Sequence, residues 1–215
     1  MKKFGFILAV LLLMTAAGCS RGAPVQESLV QVWSDPSAPT GATSLASGVV
    51  VGDGLHVLTL MTFVGYVRYK PGPLQVAATG GKRYDATIEK FDPQTGFTVL
   101  RLQSALTAGA VGQVTGENET VLTWEWNGSR WTVTNRMRVE TIPGRPPDPS
   151  FFYITTGDPL YGPLLSGGTV VTDEAGKVLG LAEPLEGPHL AIPPAKIASI
   201  GVGMALLNSG DQSSE

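Results

Sequence analysis

Between residues 29 and 192 the chain is cut into short apolar runs, rich in β-branched and aromatic residues, with turn-forming residues interrupting them roughly every ten positions. A buried helix needs about ten or more residues of unbroken 3.6-residue periodicity, whereas a strand needs only four to eight. The spacing therefore confines the chain to an all-β sandwich or barrel. The 27 glycines and 16 prolines agree with this, because each reversal needs a residue that accepts a special backbone angle. Period-two runs place strands at 29–33, 46–51, 56–60, 74–78, 83–91 and 98–102. After a small-residue break at 105–112 they place others at 120–126, 131–138, near 139–142, and at 151–156, 168–172, 178–182 and 189–192. The clearest hairpin is Trp126-Asn127-Gly128-Ser129-Arg130-Trp131, where Asn-Gly suits a two-residue turn with positive φ angles. Trp124, Trp126 and Trp131 beside it read as a local apolar cluster. The one helical candidate is 195–207, weakened by Gly201 and Gly203.

The first residues are of another kind. Lys2 and Lys3 precede an almost unbroken apolar run at 4–14 and the small-residue site Ala16-Ala17-Gly18-Cys19. This is the pattern of an export signal, and the run falls short of the about 20 apolar residues that cross a bilayer. Cys19 is the one cysteine of the chain, and its setting resembles the lipobox of bacterial lipoproteins. The resemblance implies removal of 1–18, diacylation of Cys19 and attachment to the extracytoplasmic side of a bacterial membrane. An ordinary secretory signal with an incidental thiol stays open, since Ala16 stands where the lipobox prefers Leu. A lone cysteine also rules out an internal disulfide. The polar stretch 19–28 reads as a tether, and 208–215, with nothing to bury, as a disordered tail.

Without Lys2 and Lys3, two of the 15 basic residues, the remaining 13 face 18 acidic ones, about five net negative charges with no basic run. Nucleic acid is excluded as a partner on electrostatic grounds. No His/Cys/Asp cluster has ligand spacing, so no metal is expected, and no cofactor.

Four ordered blocks over roughly 44–200 resemble the HtrA-type (Deg-like) branch of the trypsin-like serine proteases. Ala46-Ser47-Gly48-Val49-Val50-Val51 with Val57-Leu58-Thr59 is similar to the family's G-S-G-V-I-I and I-L-T-N-x-H-V. Tyr84-Asp85-Ala86 with the run from Phe91-Asp92-Pro93 through Leu100-Arg101-Leu102 is similar to D-P-x-T-D-L-A-V-L-K-I. The stretch from Asp158 to Gly168, then Gly176-Lys177-Val178-Leu179-Gly180-Leu181, resembles D-A-x-I-N-P-G-N-S-G-G and G-x-V-I-G-I, and Ala191-Ile192-Pro193 resembles F-A-I-P. The resemblance implies two six-stranded β-barrels, one lobe at 29–104 and the other at 105–207 with a short terminal helix.

Such proteases need a serine nucleophile, a histidine base and an aspartate that orients it. Carried onto this chain, the histidine position is Thr62, the aspartate position Gly96 and the serine position Ser166. Threonine is no base near neutral pH and glycine orients nothing, so Ser166 would keep its proton. The oxyanion-hole position two before the serine is glycine in the family and Leu164 here, which puts the backbone geometry of that donor in doubt.

Rescue of the chemistry would need another base. His56 sits six residues before Thr62 and reads as a surface or cross-strand residue. His189 lies on the strand that in this family helps wall the specificity pocket, so it reads either as a ligand for an acidic or amide side chain or as an idle rim histidine. Lys70, Lys82, Lys90, Lys177 and Lys196 cannot be placed near Ser166 from sequence, and Asp158 reads as a turn residue. The expectation is a membrane-anchored, catalytically inactive relative of trypsin-like proteases that binds a peptide or protein. An active serine endopeptidase using Ser166 with an unconventional base, and a structural component of an envelope assembly, stand as alternatives.

Overall fold

The computed structural model describes residues 24–34, 44–60, 74–92, 96–140, 152–156, 168–183 and 189–192. The expected helix at 195–207 and the tail lie outside them. Six antiparallel strands, β1 (Leu29–Trp33), β2 (Ser44–Val51), β3 (His56–Leu60), β4 (Leu74–Ala78), β5 (Arg83–Phe91) and β6 (Phe97–Leu102), close into a ring in the order β1-β2-β3-β6-β5-β4. Six more, β7 (Thr120–Trp126), β8 (Trp131–Glu140), β9 (Phe152–Thr155), β10 (Thr169–Thr172), β11 (Val178–Glu183) and β12 (His189–Ile192), close in the order β7-β8-β9-β12-β11-β10. The second ring repeats the connectivity of the first. The run expected near 139–142 is not a separate strand, because β8 continues unbroken to Glu140.

Side chains alternate across a strand with period two, and here both faces of the central strands find a core. Val50 and Val57 point into the first barrel with Val30, Val76 and Leu100. Their neighbours Val49, Val51, Leu58 and Leu60 point the other way and meet Trp124, Trp131, Val170, Val178 and Leu181 of the second barrel. A third cluster, with Val121, Met137, Ile154, Val171 and Leu179, fills the second barrel. This double burial is why β2 and β3 read as continuous apolar runs, while β8, which faces solvent, alternates. At about 1.5–3 kcal/mol for each fully buried large aliphatic side chain, the shared middle layer is a main source of stability.

The tryptophan cluster lies in that middle layer. Trp124 and Trp131 are buried, Trp126 meets Trp131 edge to face at 5.7 Å between centroids, and Trp124 Nε1 donates to Thr172 Oγ1 at 3.0 Å. The turn joining them differs from the expected one. Only Gly128 takes a positive φ, and Asn127 instead turns its side chain inward, where Oδ1 accepts from the Ser129 and Arg130 amides at 3.1 and 3.0 Å. Asparagine acts here as a local hydrogen-bond acceptor, and a glycine at the first turn position supplies the reversal.

Residues 25–28, within the stretch expected as a tether, belong to the fold. A 3-10 turn at Val25–Glu27 packs into the middle layer, with Val25 and Ser28 buried. An apolar side chain at Val25 and a hydroxyl satisfied by the Val25 carbonyl at 2.7 Å make this segment part of the fold.

Candidate functional site

Leu60 ends β3 and pairs with Phe97, the first residue of β6 and the neighbour of Gly96. Gly168 stands just before β10, where its amide donates to the Ala182 carbonyl at 3.1 Å. A Cβ placed on Gly168 would lie 2.6 Å from the Ser47 carbonyl oxygen and 3.3 Å from the Leu60 amide nitrogen. The residue two before Thr62, the residue beside Gly96 and the residue two after Ser166 are thus gathered at one end of the seam between the barrels. Thr62, Leu164 and Ser166 themselves lie outside the described residues.

Gly96 is described, and its setting is informative. Its φ is +72°. Its amide donates to the Asp92 carbonyl at 2.8 Å, and its carbonyl accepts from the buried Thr98 hydroxyl at 3.0 Å. The turn from Asp92 is closed again by the Asp92 amide on the Phe97 carbonyl at 2.9 Å. A residue with a side chain would be strained in this left-handed backbone.

Gly168 has a different reason to be glycine. Its φ of +77° and its contact with the Ser47 carbonyl both exclude a Cβ, and that carbonyl is fixed from the other side by Thr59 Oγ1 at 2.7 Å. A glycine here lets the second barrel press its first β10 turn against β2 and β3.

His56 opens β3, four residues from Leu60, so at about 3.3 Å per residue it lies some 13 Å from that end of the seam. It is buried, which removes the surface reading and keeps the cross-strand one. Nδ1 faces Asp53 Oδ1 at 2.9 Å and Nε2 faces Glu89 Oε2 at 3.0 Å, with Arg101 Nη1 at 3.4 Å from Nε2. Both ring nitrogens are thus engaged by neighbours at the end of β3 away from Leu60. Burial pushes the Asp53 carboxyl up, but the hydrogen bonds from His56 and the Leu55 amide and the Arg101 charge outweigh it and hold the group below its ordinary 3.8.

His189 begins β12 opposite Ile154 of β9. Lys82 lies over the Tyr84 ring at 4.9 Å, in the turn that follows β4, and Lys177 is exposed in the turn between β10 and β11. Both turns are remote from Leu60 and Gly168. Lys70, Asp158 and Lys196 lie outside the described residues. Among the described residues no group of three or more His, Cys, Asp or Glu is arranged to hold a metal.

No protein family and no curated protein matches the sequence. Among solved structures, the chain is similar to the protease domain of MamO from Magnetospirillum magneticum in its apo form. The TM-score is 0.60 at 18% identity, over 82% of this chain and 97% of that one. The fold is the trypsin-like double β-barrel. The two barrels meet along a seam, and Leu60, Phe97 and Gly168 lie together at one end of it. What sequence reading missed was the Asp53-His56-Glu89-Arg101 cluster at the other end. These residues sit on three strands and a turn, and only their pairing across the sheet, His56 opposite Arg101, brings them together.

Proposed function

We propose that this is a lipid-anchored, extracytoplasmic protein of trypsin-like fold that no longer cleaves peptide bonds and offers the groove beside Leu60 and Gly168 to a peptide or protein partner. The observation that carries the reading is Gly96. The residue at the orienting position has no side chain, and its backbone adopts a conformation that disfavours one. With Thr62 at the base position and His56 committed to two carboxylates at the far end of β3, neither of these two residues is a base for a serine at 166. General-base catalysis alone is worth about 10²–10⁴-fold, and triad members act as a unit, so the loss of two leaves little chemistry. Binding needs none of these groups.

The test uses fluorescein-labelled unfolded casein and a fluorophosphonate probe on the purified protein. The expected result is a rise in casein anisotropy without fragments, and no probe labelling that depends on Ser166. Casein cleavage, or labelling that vanishes in Ser166→Ala, would overturn the loss of activity. Unchanged anisotropy would overturn groove binding to extended chains.

A further inference from the structure

The chain enters the domain at the end of the seam opposite the candidate groove. Val25 packs against Gly176 in the turn between β10 and β11, 3.5 Å from where a Cβ there would sit. The Gln26 carbonyl accepts from Thr79 Oγ1 at 2.7 Å, and the Ser28 carbonyl accepts from the Val50 amide at 2.8 Å. Both barrels therefore grip the entry point. Along β3 and β10 this end carries His56 and Thr172, while Leu60 and Thr169 mark the other.

Six peptide steps separate Cys19 from Val25. Fully extended, at 3.3–3.6 Å each, they span about 20 Å. A domain of this size has a radius of gyration of about 15 Å and is some 40 Å across. A tether that is half the domain's width, and whose inner end is fixed in the fold, cannot let the domain present an arbitrary face to the surface that holds Cys19.

We infer that the seam end bearing Val25, Thr79 and Gly176 is held against the membrane surface and that the candidate groove faces away from it. The inference rests on the acylation of Cys19 proposed above. Exposed charges at this end are of both signs, with Glu27 and Glu174 beside Lys82 and Lys177, so the short anchor sets the orientation and no basic patch is required. A groove turned outward meets soluble or surface-exposed chains that approach from the aqueous side.

Acylation consumes the thiol of Cys19, so each introduced cysteine is the one reactive thiol of the acylated protein. Lys82→Cys and Glu174→Cys mark the anchored end. Ser44→Cys and Ser129→Cys mark the groove end, and all four positions are exposed. Each variant is labelled with a fluorophore and placed in vesicles of phosphatidylethanolamine and phosphatidylglycerol that carry a quencher on the lipid headgroup. Quenching at 82 and 174 is expected to exceed that at 44 and 129 several-fold. A Gly/Ser insertion after Ser20 longer than the domain is wide should bring the four values together. Equal or reversed quenching in protein whose mass shows an acylated Cys19 overturns the orientation. A mass without acyl chains overturns the anchor on which it rests.

Discussion

Gly96 places a limit on repair. If Thr62 and Gly96 stand at the base and orienting positions proposed above, Thr62→His with Gly96→Asp supplies the residue types of a triad, but the aspartate would sit on a left-handed backbone. Gly96→Asp is expected to lower unfolding free energy by about 1–2 kcal/mol, read from urea denaturation. The double variant is expected to show no casein hydrolysis above background. The His56 cluster makes a prediction of opposite character. The Asp53 carboxyl is held below its ordinary 3.8, so the folded state binds fewer protons than the unfolded chain as acid is added. Its contribution is fully present above about pH 4 and is lost as pH falls through the lowered value. Asp53→Asn should therefore lower the Tm at pH 7, and the gap from the parent should close below pH 4. A gap that stays constant as the pH falls below 4 would mean that packing, not charge, is at work. Asp53 is partly exposed, so the effect is moderated by solvent.

At the scale of elements, most strands were legible because their signals are local. Leu29–Trp33, His56–Leu60 and Arg83–Phe91 are apolar or alternating runs cut by turn residues, and they fold as read. What sequence could not convey was distance. Val25 reads as tether because its neighbours are polar, and only the apolar layer packed between the barrels makes it core. The turn at Asn127 was displaced because an asparagine side chain can replace a backbone acceptor. The convergence of Leu60, Phe97 and Gly168 joins segments more than 30 residues apart in sequence, which no period reveals. Of the candidate site, the residue types at 62, 96, 164 and 166 were legible, while the reason for glycine at 168 was not. Gly168→Ala is expected to cost more than about 2 kcal/mol, because a methyl group there meets a backbone oxygen already fixed by Thr59. Equilibrium unfolding measures it, and a loss under 0.5 kcal/mol would show that β10 can retreat.

The described residues of the whole molecule form three cores, and the middle one belongs to neither barrel alone. Leu58 and Leu60 from one side and Trp124, Trp131 and Leu181 from the other are all buried by their mutual contact. Fragments 24–104 and 105–192 produced separately are expected to lack cooperative thermal transitions, since each exposes half of that layer, and to regain one when mixed. Calorimetry of either fragment alone decides it. The ring order has a consequence of its own. Each ring is sealed by strands that are not sequence neighbours, β1 on β4 and β3 on β6, then β7 on β10 and β9 on β12. Such closures bring together distant parts of the chain before any of them is rewarded, and all-β proteins of this kind fold in milliseconds to seconds. For that interval the strands that will seal each ring keep their edges unpaired, so the newly made chain is most open to wrong partners at β1, β4, β7 and β10.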